Sequence, residues 1–399
     1  LIACPFMIES LLTLAAVIGV IFLLALPQIR TAVTWRAIIT PLASIIGSGF
    51  LVIGPILNHA YGGWAPLGML ALCGLAYLFG IVMRQNIRDR MDRTSLSKVP
   101  SVLEFSSSWA LSVAYVISVT YYLNLFGAFA VRVTPFNDPV YARIVTSIVL
   151  LVVVIIGWTR GFHALEKLEQ ASVTLKLAII GGLLVGLALF FGDTATSDAL
   201  VFNTPNENIW GSIILLFGLI VTVQGFETSR YLGNEYDDET LIRSMRYAQW
   251  ISTGIYLAYI LLLAYTFRSG EFTLTETAII DLMSKVAPIL PALLIAAALS
   301  AQFSAAIADT GGCGGLVDEL TQHKVSAKQT YLMICVVGIA LTWFADIFAI
   351  ISYASRAFAA YYALQAVLAA LAASGGRRGA FLVLAALGAA IAIFGVPVE

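Results

Sequence analysis

Long apolar runs separated by short polar connections fill this chain. They fall at 9–28, 36–60, 64–84, 101–131, 140–160, 171–191, 208–232, 246–267, 288–318, 329–345, 347–373 and 378–396. A helix needs about 20 apolar residues to cross a bilayer. An open strand cannot cross, because lipid leaves its backbone groups without partners. The pattern therefore predicts an all-α polytopic membrane protein with about 12 transmembrane helices. The runs at 101–131 and 288–318 exceed one straight crossing, so tilting or extension into water is expected there.

Composition points the same way. Of 399 residues, 60% are hydrophobic and only 11% charged, against about 25% charged in soluble domains. The net charge of -1 gives no reason to expect nucleic acid as a partner. Cys4, Cys73, Cys313 and Cys335 lack metal-type spacing, and three lie in or beside apolar runs, where a small buried thiol is the ordinary reading. His59, His163 and His323 stand near span ends, far apart in sequence. No metal and no cofactor is expected.

Lys and Arg order the connections. One alternating set holds 16 of them, from Arg30 and Arg36 to Arg377 and Arg378, and the other holds only Arg132, Arg143, Arg268 and Lys285. Basic loops face the cytoplasm, so the 36–60 helix is expected to start there. The run from Leu11 to Pro27 reads as a spanning helix placed before the functional core. The external stretch 268–287 mixes apolar and polar residues; it reads equally as a cover over a vestibule or as a solvated connection.

Two runs are interrupted. Gly47-Ser48-Gly49 stands inside 36–60, and Gln224-Gly225-Phe226-Glu227-Thr228-Ser229-Arg230 enters 208–232. Glycine weakens a helix and frees backbone groups that only a cavity or a neighbouring protein segment can satisfy. A carboxylate such as Glu227 costs a few kcal/mol in a span unless it is paired, protonated or wetted. Paired breaks about five helices apart point to an inverted-repeat secondary transporter with its site near the midplane.

At these residues the chain resembles the amino acid-polyamine-organocation (APC) superfamily, whose members have the five-plus-five inverted repeat. IIGSGFLVIGPILNHAYGGWAPLGMLAL (45–72) looks like the first core helix and the approach to the second. LFGLIVTVQGFETSRYLGNEYDD (216–238) looks like the sixth, and GWTRGFHALEKLEQASVTLKLAIIGGLL (157–184) is similar to the fourth-to-fifth connection. The resemblance implies an extra N-terminal helix (1–35), a first repeat (36–191), a second repeat (208–373) and a peripheral C-terminal helix (378–399). It implies that Ser44, Gly47, Ser48 and Gly49 meet a substrate carboxylate at the positive end of a half-helix. Val221, Gln224, Gly225, Phe226 and Glu227 would form the second half of the site, with Gly225 among free carbonyls and Phe226 at a gating position. The family's aromatic gate falls on Val221 to Val223, a departure that weighs against a large or cationic substrate stacked on a ring. Tyr115 and Tyr122, seven residues apart on one face of the third core helix, would border the substrate.

The resemblance also places an ion-coupling region. Ala43 and Ile46 of the first core helix and Ala306, Asp309 and Thr310 of the eighth stand where sodium-coupled relatives bind the ion, and Lys176 matches a fifth-helix lysine of proton-coupled relatives. Three readings stay open: a Lys176–Asp309 pair that carries a proton, a sodium ion on Asp309 and Thr310, or a static ion pair. Arg356 must find a carbonyl, carboxylate or water. Glu104 reads as a solvated or capping carboxylate, the acidic run 235–239 as a solvated helix cap, and the glycines at 311, 312, 314 and 315 as a hinge or a close helix contact.

The function implied is secondary active transport of a small amino acid or related zwitterion by alternating access, with proton symport ahead of sodium coupling or exchange of another small solute. The partners are then the solute, a proton or sodium ion and the lipid bilayer; the protein is a monomer or homodimer in the plasma membrane, most simply a bacterial inner membrane. A non-transporting sensor, an ion channel and an intramembrane enzyme are the rivals. The chain shows no signalling tail, continuous polar pore, His-Glu metal motif or Gly-x-Ser-x-Gly elbow to support them.

Overall fold

The computed structural model describes residues 3–47, 49–91, 98–159, 166–232 and 236–398. Each apolar run becomes helix. In chain order these are α1 (Ala3–Ala25), α2 (Val33–Ile45), α3 (Gly49–Tyr61), α4 (Ala65–Met91), α5 (Lys98–Val131), α6 (Pro139–Thr159) and α7 (Glu166–Thr196). There follow α8 (Ile209–Gly218), α9 (Asp238–Thr266), α10 (Ala278–Val286), α11 (Leu290–Leu320), α12 (Ala327–Phe344), α13 (Ile347–Ala372) and α14 (Gly375–Phe394). Among the described residues, ten helices are long and apolar enough to cross a membrane. The runs at 36–60 and 208–232 are the two that break into shorter pieces.

The helices sort by what they touch. α5 packs on α11, α13 and α6, and its face at Leu111, Ala114, Val119, Leu123 and Leu125 is almost entirely buried. α9 packs on α4 and α2, and α14 on α13. Small residues bring α13 in close: Ala354, Ala359, Ala366 and Ala369 are buried among its neighbours, as membrane interfaces favour. α1 lies outside this core, packed on α7 where Val17, Val20 and Thr13 approach Gly182, Gly181 and Gly186. Ile18, Phe22 and Leu23 of α1 stay exposed, as lipid-facing side chains should.

The long runs at 101–131 and 288–318 become continuous helices of 34 and 31 residues. The stretch 268–287 packs on the bundle: α10 is amphipathic, buries Ile279, Ile280, Leu282 and Met283, and contacts α11 and α3. Of the reserved polar residues, Arg356 Nε donates to the Ala392 carbonyl at 2.8 Å. Gly314 lies against the Tyr331 ring, so this part of the glycine cluster serves close packing. Asp237 caps α9 by accepting from the Thr240 amide at 3.2 Å, and hydrogen bonding from Thr240 holds its carboxyl below the usual range.

Polar side chains tie the bundle at both ends. On the side expected to face outward, Asn203 Nδ2 donates to Asn58 Oδ1 (3.0 Å) and the Phe267 carbonyl (2.8 Å), while Asn58 Nδ2 donates to the same carbonyl (3.1 Å). On the opposite side, buried Arg84 donates to Gln249 (2.6 Å), Asn86 donates to Gln365 (2.8 Å), and Gln365 donates to Ser107 (2.9 Å). These bonds join α4 to α9 and α13, and α13 to α5. The Arg84 bond is charge-assisted and buried, so it holds more strongly than the same contact would in water.

Candidate substrate and coupling site

A helix that stops inside the membrane leaves its last carbonyls without amide partners. At the end of α2, each described partner comes from a different direction. The Leu42 carbonyl accepts from the Ile46 amide (2.9 Å), that of Ala43 from Lys176 Nζ (2.6 Å), and that of Ile45 from the Tyr256 hydroxyl (3.0 Å). Gly47 then carries the chain toward α3. Ser48 lies outside the described residues, as does His163.

The second break has its own partners. α8 ends at Gly218, and a short 3-10 turn, Ile220–Val223, follows. Ser355 of α13 bridges this joint: its hydroxyl donates to the Gly218 carbonyl (2.7 Å) and accepts from the Val221 amide (3.1 Å). Beyond it, Gln224 is extended and Gly225 has φ +116, a left-handed conformation that favours glycine. The Gly225 amide donates to Glu227 Oε2 at 3.1 Å, and its carbonyl accepts from Thr228. Tyr362 of α13 donates to the same Glu227 oxygen at 2.8 Å and approaches Gln224 Oε1 at 3.3 Å. Glu227 is 1% exposed, so its carboxyl spends its acceptors on this junction.

The two breaks touch. A Cβ at Gly225 would stand 2.7 Å from the Ser44 backbone, and one at Gly49 would stand 2.7 Å from both Cα and Cβ of Thr222. Tyr256 of α9 links them again, because its hydroxyl sits 2.5 Å from the Thr222 carbonyl as well as 3.0 Å from that of Ile45. Behind this contact lies a cavity of about 10 Å³, lined in part by Ile45, Val223, Gln249 and Tyr256. It has room for about one water. Ser44, Gly47, Gly49, Val221, Gln224, Gly225, Phe226 and Glu227 are thus one contiguous region.

A sequence profile described as an APC superfamily transporter matches residues 27–395. The chain belongs to the APC superfamily of transporters. An uncharacterized protein of Aquifex aeolicus (strain VF5) is 41% identical to it over 350 residues, which cover 84% of this chain and 83% of that protein. The matched stretch begins after α1, which ends at Ala25.

In this APC transporter the other residues singled out from the sequence divide between the break region and its flanks. Phe226 is fully buried in a ring stack, 5.3 Å from Tyr362, which in turn stacks on Phe79 at 5.1 Å. Tyr115 meets Phe358 edge-on, and Tyr122 packs beside Tyr121. Thr310 donates to the Ala306 carbonyl within α11 at 2.6 Å. Asp309 accepts from Ser118 of α5, and Lys176 meets α2.

The contact register of α7 and α11 leads Lys176 and Asp309 in opposite directions. Ser172 bonds to Ser300, and Gly186 approaches Leu290, so the helices run antiparallel. Lys176 lies one turn from the serine contact toward the Leu290 end. Asp309 lies nine residues, about 13 Å, toward the Leu320 end.

Four participants were not singled out from the sequence: Tyr256, Ser355, Tyr362 and Ser118. Each is a hydroxyl inside a span, and a hydroxyl in hydrocarbon must find a partner. That rule marks all such residues alike and does not say which of them reach the breaks.

Proposed function

We propose that this chain is a secondary active transporter of small amino acids or related zwitterions, working by alternating access and coupled to protons. The observation that carries the reading is the Lys176 ammonium on the Ala43 carbonyl, 2.6 Å away at the end of the broken first core helix. The cation reaching α2 from α7 sits on the carbonyl of Ala43, one of the residues at which the resemblance sets a coupling ion between α2 and α11. When Lys176 releases its proton, the amine loses the charge that holds that carbonyl, and the half-helix is freer to move. Substrate binding at the adjoining junction then acts on the same equilibrium, since only a differential affinity for two states shifts their populations.

The amino and carboxylate groups of a zwitterion suit the two breaks. The start of α3 offers the positive end of a half-helix to the carboxylate, and the Gly225 region offers carbonyls to the amine. The carbonyls of Thr222 and Gly225 accept from the Tyr256 and Thr228 hydroxyls here, so the amine of the substrate would enter by displacing such bonds. The small aliphatic Val221 and Val223 at the gating stretch favour a small side chain. A plasma-membrane location, in a bacterial inner membrane, follows as part of this reading.

The test is uptake of pooled radiolabelled neutral amino acids into proteoliposomes under an inward pH gradient or an inward sodium gradient. Uptake under the pH gradient alone, abolished in Lys176→Met, is the expected outcome. A strict sodium requirement would overturn the proton assignment and move the coupling site to Ala306, Asp309 and Thr310. Absence of uptake under either gradient would reject neutral amino acids as the substrate class.

A further inference from the structure

A cavity of about 250 Å³ lies away from the break region, between the end of α1, the start of α2 and α7. Its walls are two kinds of surface. Leu24, Val173 and Leu177 are apolar, whereas Arg30, Arg36 and Trp35 bring two cations and an indole to the same lining. The cavity forms because α1 holds α7 through Val17 and Val20, and the chain then turns at Pro27–Arg30 before α2 begins. Exposed Ile21 and Phe22 place its side against the hydrocarbon.

No acidic side chain stands among the described lining residues. Among the described residues, neither Arg30 nor Arg36 has an ion pair or a side-chain hydrogen bond. Arg36 sits in the first turn of α2, where the helix dipole is positive and a cation is misplaced unless an anion accompanies it. The N-cap of α2 is Ala32, whose side chain accepts nothing from the free amides. Arg30 and Arg36, both exposed, and the uncapped start of α2 thus border a cavity whose remaining walls are mostly apolar.

We infer that this cavity binds the phosphate headgroup of an anionic phospholipid from the cytoplasmic leaflet, with an acyl chain laid along α1. A phosphate accepts from both arginines in the bidentate manner that guanidinium favours. Trp35 stands at the headgroup level, where indoles settle in membranes, and the basic side of the bundle faces the anionic leaflet. Free phosphate would satisfy the arginines and leave the apolar walls bare; a zwitterionic lipid would fill the walls and bring its own cation to the arginines. The site ties the otherwise peripheral α1 to α2 and to the helix that carries Lys176. Occupancy therefore stabilises one arrangement of those three helices.

The experiment reads binding and does not depend on the transport assignment. Purified full-length protein in detergent is titrated with phosphatidylglycerol, with phosphatidylcholine of the same chains, and with inorganic phosphate, following bound lipid by native mass spectrometry and the melting temperature in parallel. Phosphatidylglycerol is expected to bind and raise the melting temperature, with little effect from the other two. Each basic residue near the surface strengthens binding roughly fivefold, so R30Q/R36Q should weaken it about 30-fold, while R30K/R36K keeps most of the affinity. Ala25→Trp, which fills the cavity and leaves both charges, should also displace the lipid. Equal binding of phosphatidylcholine, stabilisation by phosphate alone, or undiminished phosphatidylglycerol binding in R30Q/R36Q would overturn the inference. The melting temperature of each variant without lipid shows whether it has folded.

Discussion

Gly49→Ala is the sharpest test of the contact between the two breaks. The new methyl would stand 2.7 Å from Cα and Cβ of Thr222, where ordinary contact begins at 3.4 Å, so the segments must part by about 0.7 Å. Rotation of a side chain cannot relieve this, because the first atom met is backbone. Overpacking of this kind costs about 1–3 kcal/mol. Alanine also favours helix over glycine by up to about 1 kcal/mol, and Gly74→Ala supplies the control for that gain. Gly74 is in the interior of α4, with nothing within 4 Å of its would-be Cβ. Thermal unfolding of both variants in one detergent should put Gly49→Ala a few degrees below Gly74→Ala. Thr222→Ser should not rescue it, since Cα and Cβ remain. Equal melting temperatures, or full rescue by serine, would refute direct contact between the breaks.

The hydrogen bonds at the junction make three further predictions. Glu227→Ala leaves the Gly225 amide without an acceptor, at about 1–3 kcal/mol, and the Tyr362 hydroxyl with only its longer bond to Gln224. Glu227→Gln keeps an acceptor oxygen and should melt well above the alanine variant; equal losses would show that charge, not acceptor geometry, matters there. Tyr256→Phe removes the donor shared by the Ile45 and Thr222 carbonyls and should cost about 1–3 kcal/mol, read as a lower melting temperature. An unchanged value would mean that the hydroxyl does not tie the breaks. Asp309→Asn keeps an acceptor for Ser118, so it should leave stability and the pH-driven uptake of Lys176-containing protein largely intact. Loss of that coupling in Asp309→Asn with normal stability would restore Asp309 to the proton path.

Placing Lys176 against Ala43 narrows the open question about the coupling region. Sequence spacing alone allowed Lys176 to meet Asp309, because both lie inside spans and both are ionisable. Among the described contacts Lys176 meets Ala43, Ser172 faces Ser300 and Asp309 meets Ser118, which favours a Lys176 that acts on α2. Registers between helices far apart in sequence depend on how many side chains interdigitate at once, and no local pattern encodes that sum.

What the sequence determined by itself is what hydrophobicity and backbone chemistry decide locally. A run of about 20 apolar residues must be a helix in lipid, so the spans were legible. Gly47, Gly49 and Gly225 weaken helices wherever they stand, so the breaks were legible too, as was Glu227 as a residue needing partners. The family followed from the order and spacing of those features. Only the tertiary structure decided which groups satisfy the breaks. Tyr256, Ser355 and Tyr362 look in sequence like any membrane tyrosine or serine, and their roles arise because α9 and α13 pass beside both interruptions. The same holds for the cavity at Arg30 and Arg36, which exists only where α1, α2 and α7 diverge. Local chemistry says which groups need partners; packing between distant helices says which partners they get.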